Sequence, residues 1–302
     1  MDFASIAIYL KDLLATVMTL LMMLSPAFSG NGVAYQAQKP DELITSFAVV
    51  SDIHVETNNP VSYENLSNVL YGIKAGKDVD AAIYTGDNVM NGQFLENVFF
   101  YSAVKAVKAA ENNLVVVGNH DLGNGAGDHN KSRDDFIANN NLYLGADLDE
   151  AYYYRVVKGC YMICLATEDG DPSKFEMSDK QFEWLKAVLE EAKAEEAPVF
   201  VFNHFPISYL TRGGEVLSEL LNEYNVSLFV HGHIHDHLGK DNFYNWGGIN
   251  CVNLPRVTET TDYEAGDGIV VEVYENEILV RGRNFINGEW IDELVYTYPI
   301  VK

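Results

Sequence analysis

The sequence predicts an α/β fold, and three observations carry that prediction. Short apolar runs alternate with amphipathic segments from residue 44 to residue 117, the strand–helix–strand–helix–strand rhythm of a sheet with helices packed against it. Four of five short polar blocks directly follow a strand-like run, and ligands collect at the carboxyl ends of strands in such sheets. From residue 248 the pattern changes to strands alone. With 302 residues, 48% of them hydrophobic and 12% aromatic, the chain can bury a large core.

Residues 44–50 read as a fully buried strand leading to Asp52. Leu66, Val69, Leu70 and Ile73 recur at i, i+3, i+4 and i+7, one apolar face of a helix. Residues 81–84 form a second strand, 94–110 a helix and 114–117 a third strand. Residues 122–135 are rich in Gly, Asn and Asp and read as a loop, followed by a short helix near Phe136. Residues 152–157 and 161–166 pair around a turn at Lys158 and Gly159, and the three tyrosines from Tyr152 to Tyr154 read as core and strand-face aromatics. Ser178 with Gln181 three residues on is a capping box, opening a helix with Phe182, Leu185, Leu189 and Ala192 on one face. Residues 199–202 are a strand. Val216, Leu217, Leu220, Leu221 and Tyr224 mark a helix, and 228–230 is the next strand. Further strands are expected at 248–252, 269–274, 278–283 and 294–298.

The first 29 residues differ from the rest. Residues 13–28 carry no charge, and 13–24 form an apolar run, followed by Ser25, Pro26 and then small residues at alternate positions, Ala27 and Ser29. This is the layout of a secretory signal cleaved near Ser29. Asp2 and Asp12 outnumber Lys11 in the flank, so an uncleaved membrane anchor is the competing expectation, residues 6–10 extending the run toward spanning length. Residues 1–29 are therefore expected as signal or anchor, 30–43 as a polar linker and 44–302 as one domain working outside the cytoplasm.

A net charge of −24 without any Lys/Arg cluster argues against polymeric nucleic acid as a partner. A small anionic substrate stays allowed, because divalent cations reverse the local field whatever the outer surface does. Cys160 and Cys164 lie in one strand-like run about 13 Å apart, too far for a bridge. Both, with Cys251, read as buried apolar fillers.

The five polar blocks are Asp52 with His54, Gly86 with Asp87 and Asn88, Gly118 to Asp121, Asn203 with His204, and Gly232 to His235. Together they supply Asp, Asn and His donors and no thiolate, a ligand set suited to a pair of Mn, Fe or Zn ions. A two-metal centre beside a spare histidine points to hydrolysis.

In this order the blocks resemble the calcineurin-like metallophosphoesterase superfamily, whose pattern is D-x-H, G-D, G-N-H followed by D or E, a lone H, then G-H-x-H. The resemblance covers residues 46–235 and implies a four-layer α-β-β-α sandwich of two mixed β-sheets flanked by helices. It implies that Asp52, His54 and His235 hold one metal, that Asn119, His204 and His233 hold the other, and that Asp87 bridges them. It places His120 against the substrate phosphoryl group, with Asp121 orienting it. The implied activity is hydrolysis of a small organic phosphate or nucleotide, monoester or diester, by in-line attack of hydroxide held between two divalent or trivalent ions. Many members carry Asp a few residues after G-D; here Asn88, Val89, Met90 and Asn91 follow, so no second acid supports Asp87. A non-catalytic metal-binding scaffold of the same fold is the alternative, and hydrolysis of another ester a third. His129, His231 and His237 read as loop residues or as supports behind the ligands, and Arg212 as a solvated loop arginine rather than a phosphate clamp.

Overall fold

Thr45–Val50 (β1) is buried along its whole length, because two apolar layers sandwich it. Phe47 and Val49 face one core while Ala48 and Val50 face another, the period of two that a strand imposes. In the computed structural model, which describes residues 32–57, 59–124, 129–258 and 265–301, β1 is central in the first of two six-stranded sheets. Val79–Thr85 (β2) and Asn112–Val116 (β3) extend this sheet in parallel. The second sheet holds Tyr153–Val157 (β4), Cys160–Cys164 (β5), Val199–Phe202 (β6), Leu228–His231 (β7), Phe243–Trp246 (β8) and Ile249–Asn253 (β9), in the order β4-β5-β6-β7-β9-β8. Its inner strands are parallel and its two edge strands antiparallel. Asp267–Val273 (β10), Glu277–Asn284 (β11) and Trp290–Pro299 (β12) complete the first sheet on the other side of β1, all antiparallel, in the order β12-β11-β10-β1-β2-β3.

Between the sheets, Phe47, Val49, Ile83 and Val116 meet Phe200, Phe202 and Val230. Pro60–Lys74 (α1) and Phe94–Val107 (α2) cover the outer face of the first sheet, and Leu66, Val69, Leu70 and Ile73 of α1 are fully buried there, as their spacing predicts. Asp179–Ala194 (the fourth α-helix, α4) and Gly214–Glu223 (α5) cover the second sheet through Leu185, Leu189, Leu217 and Leu221. The result is the four-layer sandwich with mixed sheets.

Several local expectations need correction. The stretch 122–135 is not all loop. A helix, His129–Asn139 (α3), runs through its second half into a π-helical turn, Asn140–Leu144. Its sequence is too polar for apolar spacing to mark it, and it is tied down by the buried Phe136 and by Asn140, whose amide donates to Tyr101 Oη at 2.9 Å. The capping box is half formed. Ser178 Oγ accepts from the Gln181 N–H, but the Gln181 amide is buried and bonds both the N–H and the carbonyl of Ala166. Val216 stays half exposed, and the edge strand β8 carries too little apolar alternation to be recognised in advance.

The segment read as a linker touches the domain at Tyr35 and Ala37, which are buried, while most of its other described residues are exposed. Tyr35 is buried, its N–H donates to Ala75 O, and the Arg283 guanidinium lies 4.0 Å from its ring centre. Polar composition concealed this, because the contacts are mostly backbone bonds and one aromatic ring. The expected signal or anchor, residues 1–29, lies outside the described residues. Among the described residues no helix is long and apolar enough to cross a membrane. All three cysteines are buried and unbridged.

Candidate metal centre

Five strand ends deliver the five blocks to one edge of the sandwich. β1 leads to Asp52 and His54, β2 to Asp87, β3 to Asn119 and His120, β6 to His204, and β7 to His233 and His235. Asp52, His54, Asp87, His233 and His235 all adopt positive φ, between 49° and 72°. For residues with a Cβ this region is disfavoured, and such strain persists only where surrounding contacts dictate it. Here they do. The Asp52 N–H donates to Gly86 O, the His54 N–H to Asp87 O, and the His233 N–H to Asp52 Oδ2.

Two of the motif glycines are required by close approach. A Cβ at Gly118 would collide with the Asp87 backbone N and Oδ1, and one at Gly232 would collide with Ser51 Oγ and Asp52 Oδ2. The glycines therefore let adjacent strand ends close around the carboxylates.

Ligand atoms of Asp52, His54, Asp87 and His235 lie within 4.8 Å of one another, and so do those of Asp87, His204 and His233. Asp87 belongs to both groups. His54 Nε2 and His235 Nε2 are 3.2 Å apart, with Asp52 Oδ1 2.8 Å from the latter. His204 Nε2 lies 3.2 Å from His233 Nδ1 and 3.1 Å from Asp87 Oδ2. Buried imidazole nitrogens facing each other this closely need a proton or a cation between them. His204 Nδ1 faces the Thr85 carbonyl at 3.0 Å, which can only accept, so Nδ1 holds a proton and Nε2 is the nitrogen left to face Asp87, with a proton or a cation between them.

Asn119 follows β3 one residue before His120, whose N–H donates to Asp87 Oδ1 at 2.8 Å. Asn119 Nδ2 donates to Asn124 Oδ1 at 2.7 Å, while its Oδ1 is buried without a hydrogen-bond partner among the described residues. A buried acceptor left without a donor is costly, and a cation satisfies it. With two buried carboxylates and inward-facing imidazoles, the residues present fit a pair of borderline metal ions.

The electrostatics agree. Burial alone would raise the Asp52 carboxyl, but His204, His235 and His54 hold it well below the ordinary carboxylate range. Burial likewise opposes ionisation of Asp87, and His204 with His54 lowers it. Burial disfavours a charged His204, yet Asp87 and Asp52 push it up to about 9. Burial and the neighbouring His204 lower His233 to about 4. The cavity favours positive charge at its centre.

His120 and Asp121 do not form the expected pair. The Asp121 carboxylate accepts from the backbone N–H groups of Asn88, Val89 and Gly118 and from Asn88 Nδ2, at 2.8–3.2 Å. It fastens the loop after β2 to the loop after β3. His120 is oriented instead by the Met90 carbonyl, 2.5 Å from its Nδ1, which leaves Nε2 3.9 Å from Asp87 Oδ2. Ser51, Asn124 and the carbonyls of Thr85 and Met90 complete the surroundings. Only Ser51, adjacent to Asp52, had a sequence signal. His231 bonds Gly232 O and Tyr244 Oη. Arg212 is exposed and pairs with Asp179, as a solvated loop arginine does.

A mixed β-sandwich whose strand ends converge on two adjoining Asp/His clusters defines the metal-dependent hydrolase class. The calcineurin-like phosphoesterase family profile matches residues 45–237, more than half of the chain, and the chain belongs to that family of phosphoester hydrolases. A sequence comparison with curated proteins finds no match. Among solved structures, a dimetal phosphatase from Danio rerio is 16% identical with a TM-score of 0.62, covering 86% of this chain and 100% of its own. A purple acid phosphatase from yellow lupin (Lupinus luteus) seeds is 13% identical with a TM-score of 0.56, covering 84% of this chain and 53% of its own. GAP50, the anchor in the inner membrane complex of Plasmodium, is 16% identical with a TM-score of 0.54, covering 85% and 89%. At these identities the likeness is one of fold.

Proposed function

We propose that this chain hydrolyses a small organic phosphate or nucleotide, as a phosphomonoesterase or phosphodiesterase, with a pair of metal ions and outside the cytoplasm. The observation that carries the reading is Asp87, whose carboxylate belongs to both ligand clusters. Asp52, His54 and His235 would hold one ion, Asn119, His204 and His233 would hold the other, and Asp87 would serve both. Mn, Fe or Zn suits this mixture of oxygen and imidazole donors. When bound, the pair supplies Lewis acidity and an acidified water for in-line attack on phosphorus.

The chain's own groups do the rest. Asp121 holds the loops of Asp87 and His120 in register. The Met90 carbonyl fixes the tautomer of His120, so that Nε2 is the atom presented to substrate. With Nδ1–H committed to the carbonyl, Nε2 donates only from the doubly protonated ring; in that form it would donate a hydrogen bond to the phosphoryl oxygens or pass its proton to the departing oxygen as the P–O bond breaks. The buried floor of Asp52, Asp87 and His204 excludes bulk water beneath the reacting group.

The extracytoplasmic placement and the layout of signal or anchor followed by one domain rest on the apolar stretch 13–24. N-terminal sequencing of the protein from a fractionated culture tests them. For the reaction, the test is an assay of metal-loaded protein with Mn²⁺, Fe²⁺ or Zn²⁺ on aryl phosphate monoesters and diesters, with elemental analysis of the same sample. Bound metal with turnover of neither ester class would favour the scaffold, and turnover of carboxyl esters alone a different hydrolase.

A further inference from the structure

A cavity of about 610 Å³ opens beside the metal centre, on the side of the residues that alternate with its last ligands. Its wall includes His231 and Ile234, which flank His233 in sequence. It also includes Tyr209, whose ring meets the His233 ring edge-on at 5.3 Å. The cavity thus begins one aromatic ring from a candidate ligand. Its volume lies within the roughly 300–1,000 Å³ of ordinary small-molecule sites. Neither this cavity nor a larger one of about 820 Å³ against α5 is lined by a candidate ligand, but the larger one, rimmed by Glu215, Glu219 and Glu223, also lacks Tyr209 and the residues flanking His233.

Three aromatic residues, Tyr209, Tyr244 and Trp246, line the smaller cavity. Tyr244 is held in place. Its hydroxyl lies 2.7 Å from His231 Nε2, and His231 Nδ1 faces the Gly232 carbonyl at 2.9 Å. The histidine that is not a ligand therefore braces an aromatic wall. Trp246, on the edge strand β8, remains 41% exposed although it is large and apolar. Asp236 and Asp241 add carboxylate acceptors to the rim, and the chain as a whole carries −24. Lys240 adds an ammonium beside them, and flat apolar faces edged by acceptors and a donor suit a flat ring that bears N–H donors and ring-nitrogen acceptors.

We propose that this cavity is the subsite for the organic part of the substrate, and that it takes a nitrogen heterocycle of nucleobase type. The proposal rests on the phosphoesterase reading, which it narrows to nucleotides. The phosphoryl group sits at the metal centre and the base stacks in the cavity, between Tyr244 and Trp246. A simple alkyl phosphate leaves those faces empty and binds less well.

The test titrates adenosine, which has no phosphoester, into full-length Mn²⁺-loaded protein by calorimetry, with ribose as the control. Adenosine binds and ribose does not. Trp246→Ala weakens adenosine about tenfold, the loss of one base–aromatic stack, while metal content and circular dichroism stay at wild-type values. Trp246→Phe, which keeps a flat ring, recovers most of the affinity. Equal adenosine affinity in Trp246→Ala and wild type overturns the subsite, as does ribose binding as well as adenosine, or no adenosine binding. Binding is read without turnover, so the two readings fail separately. Adenosine bound but no phosphoester cleaved removes the reaction, and phosphoester cleaved with no adenosine bound removes the base subsite.

Discussion

His120 takes its orientation from Met90: the imidazole Nδ1 lies 2.5 Å from the Met90 carbonyl oxygen, while Asp121, next in sequence, faces away into the loop backbone. A backbone carbonyl fixes the tautomer without adding negative charge. The ring edge bearing Nε2 is left toward Asp87 and the open side of the centre. His120 is partly exposed, unlike His54 and His204.

His120→Ala is therefore expected to retain both metals and to lose about 10²–10⁴ in kcat, the usual worth of a positioned acid. Elemental analysis and steady-state kinetics on one preparation check it. Loss of metal together with activity would make His120 a ligand instead.

Asp87→Ala should behave differently. The residue belongs to both clusters, and its Oδ1 also accepts from the His120 N–H at 2.8 Å. Its removal takes a carboxylate from each ion and leaves His204 without its closest anion. Metal content should fall for both sites and turnover should disappear. A variant that keeps two equivalents of metal contradicts the bridging assignment.

Asp121→Ala separates a loop fastener from an orienting acid. Three backbone N–H groups and the Asn88 amide would lose their acceptor in a buried place. With each orphaned donor costing about 1–3 kcal/mol, a loss of at least about 3 kcal/mol is expected. For a chain of this size that is a fall in Tm of roughly 6–12 °C. His120→Ala should leave Tm nearly unchanged. If Asp121→Ala instead keeps its Tm and alters only kcat, the fastening role is wrong.

The legible part of the centre was the part made of side chains. Asp52, His54, Asp87, Asn119, His204, His233 and His235 stand at strand ends in a fixed order, so both their chemistry and their convergence can be read from the chain. Met90 and Thr85 act through backbone carbonyls, which every residue possesses and no residue type announces. Asp121 misled because adjacency in sequence suggested a pair, whereas the turn after β3 points neighbouring side chains apart. In the fold, α1 was legible through its apolar spacing. Helix α3 was not, since Phe136 is its chief buried anchor and its other contacts are amide hydrogen bonds. The packed segment around Tyr35 was hidden for a similar reason, its attachment being backbone pairing with Ala75 and Lys77.

The cysteines should be silent in the native protein. Burial pushes the thiols of Cys160, Cys164 and Cys251 up to about 12. The thiolate is the reactive form, and an unfolded cysteine has a pKa of about 8.5. Native protein should therefore alkylate negligibly from pH 7 to 9, while denatured protein labels at all three positions. A thiol whose folded pKa is raised stabilises fully below the unfolded value, and that contribution is lost as pH rises from about 8.5 toward 12. Rapid labelling of native protein at pH 8 would show that at least one of these strands opens readily.

Removing the metals should cost stability as well as activity. Asp52 and Asp87 are fully buried carboxylates whose oxygens face imidazole nitrogens, and Asn119 Oδ1 has no hydrogen-bond partner among the described residues. A cation at each cluster satisfies all three, and unfolding scatters the ligands. Binding to the folded state alone raises stability by about 4 kcal/mol at a thousandfold excess over Kd. Chelation should thus lower Tm, and titrating Mn²⁺ or Zn²⁺ back should raise it in proportion to the logarithm of free metal. Mg²⁺, which prefers an all-oxygen shell, should restore little, because four of the seven candidate donors are imidazoles. A chelated protein that melts at the same temperature, with metal analysis confirming the ions are gone, would mean that the strained residues Asp52, His54, Asp87, His233 and His235 are held in place by the protein fabric alone.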